Sequence, residues 1–194
     1  MDFKERARKS IISGAAVYKS VFVDYEYLIY SADFKNRDYY IITAEESNYP
    51  HMTGVHSLLS AQDFFDRCLD GSLKITEFDF SDIRRSEQEI KGSVKRKIQI
   101  IPLLSNLFVN KLQAEEDFIK GKIYCSLATA DNRLTIGFID SSSRPKTLLK
   151  YNQLSPSKAV DISLVLKRNK NSEVFDTIIQ GSDKELLSLR TCIQ

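Results

Sequence analysis

Both histidines of the 194-residue chain lie in one short segment, as His51 and His56, and they are the natural candidates for acid–base chemistry. An unperturbed imidazole titrates at about pH 6.5, so His51 can take up or release a proton under ordinary conditions. Thr53 can donate a hydrogen bond to a bound oxygen, and Gly54 lets a ligand approach the backbone closely. The alternative is that His51 only bonds a carbonyl of its own loop, and His56, close to the apolar Leu58, is interpreted as structural.

The motifs of the large nucleotide- and metal-dependent enzyme classes are missing from the sequence. There is no Gly-rich phosphate loop, no dinucleotide fingerprint, no His-Glu-x-x-His pair and no Gly-x-Ser-x-Gly turn. Cys68, Cys125 and Cys192 are far apart, which is neither a zinc spacing nor a disulfide framework, and they are interpreted as reduced thiols. We therefore expect no metal and no cofactor, which disfavours kinases, NTPases, zinc hydrolases and dehydrogenases.

Charge is distributed unevenly along the chain, although its net charge is only +2. Residues 24–82 contain twelve acids and four bases, whereas residues 120–170 contain ten bases and three acids. A locally basic stretch in a nearly neutral chain favours an anionic partner, and RNA is the first candidate. Solvated lysines with no partner are the alternative.

Length and composition predict a single domain with one core, because 42% of the residues are hydrophobic. No apolar stretch approaches the roughly 20 residues that a membrane helix needs. The first residues are charged and no apolar segment follows them, so no secretory signal is predicted. We expect a cytoplasmic protein that makes no contact with a membrane.

Hydrophobic periodicity predicts the elements that must position the histidines. Apolar residues at turn spacing predict a helix over residues 2–22. Two runs rich in tyrosine and isoleucine, residues 25–32 and 39–44, are typical of a hairpin. Residues 45–59, which contain both histidines together with Asn, Pro and Gly, are predicted as a structured loop.

Two helices are predicted next. Ser60 is a suitable N-cap for a short helix that Gly71 ends. Apolar residues spaced by three, four or seven then predict a long amphipathic helix over residues 83–112, which Pro102 should kink or split. The basic face of this long helix is interpreted as solvated, and the helix is a candidate for pairing with a second copy of the chain.

The second half of the chain changes to a period of two, which is typical of strands. A short helix over residues 183–189 is predicted after the strands. The order of helices followed by strands predicts an α+β fold in which an antiparallel meander sheet of four to five strands packs against helices on one side. The predicted strands cover residues 122–129, 133–140, 146–151, 161–168 and 173–180.

The segment from His51 to Phe65 carries a specific resemblance. Its His-x-Thr-Gly-Val core, followed by Leu-Ser-Ala and an aromatic pair that opens a helix, resembles the phage-associated nuclease family named for its likeness to barnase, EndoU, colicin nucleases and RelE. The resemblance covers about residues 25–180 and leaves the first and last helices as additions. It implies a barnase/RelE-like fold and a small endoribonuclease of phages, mobile elements or toxin modules that needs no metal.

Such a reaction assigns expected roles to the residues near the motif. Cleavage through the 2′-hydroxyl requires a base for its proton, an acid for the leaving 5′-oxygen and positive charge for the phosphorane. We expect His51 to be the base or the acid, with Thr53 and Gly54 close to the phosphate. Tyr39 or Tyr40 would stack on a base or act as a second proton donor.

Positive charge is expected from the late strands. Lys167 and Arg168 precede the turn of the last hairpin, and Arg144 and Lys146 follow a predicted serine turn at residues 141–143. The sheet register decides which of them faces His51, because a slip of one residue would exchange Lys167 for Arg168.

Three functions remain open on the sequence alone. The first is a metal-independent endoribonuclease, acting as a toxin or phage effector, for which a cognate antitoxin or immunity protein is the expected partner. The second is a non-catalytic RNA- or protein-binding module on the same scaffold, such as a phage-encoded inhibitor. The third is a structural protein in which the helix over residues 83–112 pairs with a second copy.

Overall fold

Helices and antiparallel strands make up the computed structural model, which describes residues 2–139 and 144–193. Residue 140 and the predicted serine turn at residues 141–143 lie outside the described residues. The helices are α1 (Phe3–Tyr18), α2 (Tyr49–Thr53), α3 (Ala61–Leu69), α4 (Glu87–Ile100) and α5 (Asp183–Ile193). The strands are β1 (Tyr25–Tyr30), β2 (Tyr39–Ile42), β3 (His56–Ser57), β4 (Phe78–Asp79), β5 (Gln113–Lys120), β6 (Ile123–Ala130), β7 (Leu134–Ile139), β8 (Arg144–Lys150), β9 (Val160–Asp161), β10 (Leu164–Asn169) and β11 (Thr177–Gln180).

The first helix forms as its periodicity predicts. Asp2 caps it by accepting a hydrogen bond from the Lys4 amide. Ala7, Ile11 and Ala15 recur at turn spacing and are fully buried. The helix then continues as a π-helical turn over Lys19–Val23, which brings its end close to the predicted residue 22.

A four-stranded sheet has the order β11-β10-β1-β2, so the last hairpin pairs with the first one. The sequence predicted the last hairpin as part of the same meander as the strands before it. The structure places it beside β1 because β1 is apolar on both faces: Tyr27 and Ile29 enter the main core, while Leu28 and Tyr30 pack in a second cluster with Leu189 of α5. The backbone N–H and C=O groups of a buried strand need hydrogen-bond partners along both edges.

A five-stranded sheet has the order β8-β7-β6-β5-β9, in which β6, β7 and β8 correspond to the first three strands of the predicted antiparallel meander. Its inner face adds Leu127, Ile136 and Phe138 to the core that also holds α1 and the four-stranded sheet. Strand β5 has no counterpart among the predicted elements, because it is acid-rich. Its buried Glu115 accepts a hydrogen bond from the Ser155 amide at 2.6 Å, a contact between distant parts of the chain.

The predicted long helix over residues 83–112 is shorter in the structure and ends near the proline. Ser86 and Glu89 form a capping box that starts α4 at Glu87. Beyond Ile100 the chain tightens into a 3₁₀ turn with Pro102 near its start, because proline has no amide hydrogen to continue the α-helix. The apolar face of α4, including Ile90 and Val94, is buried in the core of the same chain.

The described cysteine side chains belong to the packing of the fold. Cys68 and Cys125 are free and fully buried. Burial raises the pKa of the Cys68 thiol to about 12 and that of the Cys125 thiol to about 11, so both are protonated thiols at neutral pH. The side chain of Cys192 lies outside the described part. None of the described helices combines the length and apolar character needed to cross a membrane.

Candidate active site

The segment predicted as a loop contains the short helix α2, which directs His51 outward. Tyr49 and Met52 are fully buried, and the Tyr49 hydroxyl donates to the Ile11 carbonyl at 2.6 Å. Gly54, at a φ of +79°, ends the helix in the left-handed conformation. Because Tyr49 and Met52 fix the inner face of α2, His51 lies on the exposed face.

An open cleft of about 900 Å³ lies beside His51, between α2, β3, the segment before α4, α4 itself and β8. Its lining contains both histidines of the chain, four basic side chains and one carboxylate. These titratable residues are His51, His56, Asp82, Arg84, Arg85, Lys97 and Lys146. The cleft therefore brings proton-transfer groups and positive charge to one place.

Lys97 contacts the backbone of His51 in the cleft. Its ammonium group donates to the His51 backbone carbonyl at 2.6 Å. Loss of hydration, together with repulsion from Arg85, lowers the pKa of Lys97 to about 8. Burial and the Lys97 cation lower the pKa of the His51 imidazole below its usual value. At neutral pH His51 is therefore mainly the neutral form that a general base requires.

His56 lines the same cleft and has an orienting partner. It pairs with Asp79 across strands β3 and β4, and its Nδ1 lies 3.1 Å from Asp79 Oδ1 and 3.1 Å from Ser81 Oγ. The Ser81 hydroxyl donates to the same carboxylate at 2.6 Å and lowers the pKa of Asp79. An Nδ1–H bonded to this carboxylate fixes the ring orientation and leaves Nε2 as the nitrogen available to a ligand.

Three of the residues predicted for the site line this cleft: His51, Gly54 and Lys146. The Lys146 ammonium also donates to the Tyr124 carbonyl at 2.8 Å. Arg144 begins the same strand, β8, and is half-buried, but it is not among the lining residues.

Thr53 and the two tyrosines lie elsewhere. Thr53 is fully buried, and its hydroxyl donates to the Pro50 carbonyl of the same helix, α2, at 2.8 Å. Tyr39 packs in the cluster under α5. Tyr40 is buried and donates to Glu116 Oε1 at 2.6 Å, and burial raises the pKa of its hydroxyl. The structure does not place these three side chains in the cleft.

Lys167 and Arg168 contact residues of the neighbouring strand in the four-stranded sheet. The Lys167 ammonium lies 3.7 Å from the ring centroid of Tyr25, beside a different and smaller cavity. Arg168 pairs with Glu26 at 2.6 Å on the neighbouring strand β1. Both side chains lie in the four-stranded sheet and not at the cleft beside His51, because β10 pairs with β1 and not with β8.

The basic residues that the sequence did not single out come from α4 and the segment before it. Lys97, Arg84 and Arg85 belong to the run interpreted as a solvated face. One signal could have separated Lys97: it lies three residues after the buried Val94, at the edge of the apolar stripe. Arg85 is paired with Asp82 through contacts of 3.0 and 3.2 Å, which positions its guanidinium at the cleft.

Comparison with protein families identifies a nuclease-like protein. The chain belongs to the family described as phage-Barnase-EndoU-ColicinE5/D-RelE like nuclease 4, which matches residues 10–191. This confirms the resemblance carried by the segment from His51 to Phe65, and the α+β fold with its five-stranded antiparallel sheet agrees with it. No curated protein and no solved structure matches the chain.

Gly54 offers a test of how the cleft is held together. A Cβ at this position would lie 2.9 Å from Lys97 Cδ, and the φ of +79° strains any other residue. We expect Gly54→Ala to lower the free energy of unfolding by about 1–2 kcal/mol and also to lower nuclease activity, because Lys97 must move.

The matched control for this variant is Gly71→Ala. Gly71 has a φ of +81° at the end of α3, but a Cβ there meets no atom within 4 Å. It should show a similar loss in a urea unfolding curve with wild-type activity. Equal activity losses in the two variants would contradict the role given to the contact between Gly54 and Lys97.

Proposed function

We propose that this protein is an endoribonuclease that cleaves RNA by acid–base catalysis without a metal, with His51 and His56 as the proton-transfer pair. The observation that carries the proposal is that one open cleft is lined by both histidines and four basic side chains. A phosphodiester needs this combination of a base, an acid and positive charge for in-line cleavage by its own 2′-hydroxyl.

His51 takes the role of the base. Its lowered pKa makes it the neutral imidazole, which accepts the proton of the 2′-hydroxyl. The 2′-oxygen then attacks phosphorus, and the bond from phosphorus to the 5′-oxygen breaks. His56, oriented by Asp79 through its Nδ1, takes the role of the acid and gives a proton from Nε2 to the leaving 5′-oxygen. The products are a 2′,3′-cyclic phosphate and a free 5′-hydroxyl.

The basic side chains of the cleft stabilise the charge that develops on the phosphorane. Lys97 is mainly protonated at neutral pH, because its pKa of about 8 lies above that value. Lys146 approaches from β8, and Arg85 approaches from the segment before α4. Cations fixed at a partly desolvated site stabilise a transition state more strongly than mobile cations in water.

Substrate choice provides the direct test of this function. The protein, kept in excess chelator, is incubated with labelled single-stranded RNA and with DNA of the same sequence. We expect RNA cleavage that leaves cyclic phosphate ends and no DNA cleavage, because DNA lacks the 2′-hydroxyl. Cleavage of both nucleic acids, or cleavage that stops when chelator is added, would contradict the proposed mechanism.

A non-catalytic RNA- or protein-binding module is the second candidate function. The observation in its favour is that the basic head groups already have partners in the chain: Lys97 on the His51 carbonyl, Lys146 on the Tyr124 carbonyl and Arg85 on Asp82. Such a module would bind RNA in the same assay and release no product.

The proposed biological role is that of a toxin or phage-borne effector with a cognate antitoxin or immunity protein. It is supported by the family to which the chain belongs, whose description names phage nucleases. Production of the wild-type chain in a bacterial host should then arrest growth, whereas production of His51→Ala should not. Equal toxicity of the two chains would remove nuclease activity as the cause.

A further inference from the structure

An exposed apolar pair lies at the turn end of the hairpin formed by β5 and β6. Ile119 and Tyr124 are directly opposite each other in the strand register, so their side chains share a face. They are 63% and 52% exposed, in contrast with the buried Phe118 and Cys125 beside them. The Tyr124 hydroxyl donates to Asp117 Oδ1 at 3.1 Å, which restrains the ring in its exposed position.

This hairpin end adjoins the cleft. Lys146 lines the cleft, and its ammonium group donates to the Tyr124 carbonyl at 2.8 Å. Lys120 and Lys122 flank the turn at Gly121 and are exposed. Positive side chains therefore continue from the cleft to the aromatic ring.

The structure assigns this surface to single-stranded RNA: we infer that a strand leaving the cleft passes Lys146 and stacks a base on Tyr124, with Lys120 and Lys122 near its phosphates. This inference rests on the proposed function, since it extends the RNA site. Stacking on an exposed aromatic ring flanked by basic residues is the usual way in which proteins bind single strands without reading sequence. A protein partner fits less well, because specific protein interfaces bury about 1,200–2,000 Å² and two apolar side chains beside Asp117 and two lysines offer far less apolar surface.

Binding of two RNA lengths tests the inference. In the His51→Ala background, which slows cleavage, affinity is measured for the dinucleotide UpU and for a long fluorescent oligouridine. We expect Tyr124→Ala to weaken binding of the long oligomer by roughly 5- to 100-fold and to leave UpU unchanged, because only the long strand reaches the hairpin end. Tyr124→Phe keeps the ring and should bind like the parent.

Tyr151→Ala is the matched control. Tyr151 is also an exposed tyrosine, 59% accessible, with the Lys150 ammonium 4.9 Å from its ring centroid, but it follows the other end of β8. It should leave both affinities unchanged. An equal loss in Tyr124→Ala and Tyr151→Ala, or no loss in either, overturns the inference. So does an unchanged RNA affinity in Tyr124→Ala accompanied by a change of oligomeric state in light scattering, which would mark a protein interface.

The two proposals fail in different ways. If the wild type cleaves RNA and Tyr124→Ala binds the long oligomer normally, the cleft is the whole RNA site and only this inference falls. If no RNA is cleaved but binding of the long oligomer depends on Tyr124, the nuclease proposal falls and the RNA-binding surface stands.

Discussion

The His51→Ala variant is expected to cleave RNA with a kcat that is ~100- to 10,000-fold lower than that of the wild type, while its RNA affinity is unchanged. The loss follows from removal of the base that accepts the 2′-hydroxyl proton. Affinity should persist because Lys97 bonds to the backbone carbonyl of residue 51, which alanine retains. Single-turnover cleavage rates and equilibrium binding, measured separately, distinguish the two effects. A variant that keeps wild-type kcat would exclude His51 from the chemistry.

A substrate with a different leaving group can show which histidine is the base and which is the acid. A substrate whose leaving group is nitrophenolate needs no proton from an acid. Cleavage of this substrate by His56→Ala should approach the wild-type rate, whereas His51→Ala should remain slow on it. The opposite pattern would exchange the two roles. Equal slowness of both variants on the activated substrate would contradict a dedicated acid.

The pH profile provides an independent check of the base. Because the pKa of His51 is lowered, wild-type kcat on the nitrophenolate substrate, which needs no acid, should rise with pH on the acid side and level off below about pH 6.5, the ordinary value for imidazole. The rise belongs to His51 only if His51→Ala loses it. A rise that persists in the variant would belong to another group.

Local patterns in the sequence were sufficient for much of the fold. The predicted hairpin before the histidines, the helix capped by Ser60 and the hairpin between β6 and β7 depend on turn residues and periodicity close in the chain. The α+β class follows from their order. His51 and Gly54 could be chosen from the same short motif, because the residues that give α2 its direction also lie within it.

Those local patterns could not predict contacts between segments that are distant in the sequence. The sequence could not show that Lys167 lies against Tyr25, because this contact depends on the pairing of β10 with β1. Tyr40 could not be recognised as buried, because Glu116 lies on a strand that the periodicity did not reveal. His56 gained its orienting carboxylate from β4, more than twenty residues further along the chain. In each case the deciding partner is non-local.

Replacement of Lys97 is expected to have the second large effect on activity, although the charged Lys97 side chain opposes folding. Its pKa is lowered from an ordinary 10.5 to about 8, so the unfolded chain binds more protons than the folded chain between these two values. The free energy of unfolding therefore rises with pH across that window, and below it the charged Lys97 opposes folding. Lys97→Met should keep or raise the melting temperature at neutral pH.

The same substitution should lower kcat by ~100- to 1,000-fold, as expected when one fixed stabiliser of transition-state charge is removed. On the nitrophenolate substrate, which needs no acid, wild-type activity should also fall as pH rises through about 8, where Lys97 loses its proton, and the variant should not show that fall. Lys95→Met, on the exposed face of the same helix, is the control and should change neither property. A stable Lys97→Met protein that cleaves RNA at the wild-type rate would show that the cation bonded to the His51 carbonyl takes no part in stabilising the phosphorane.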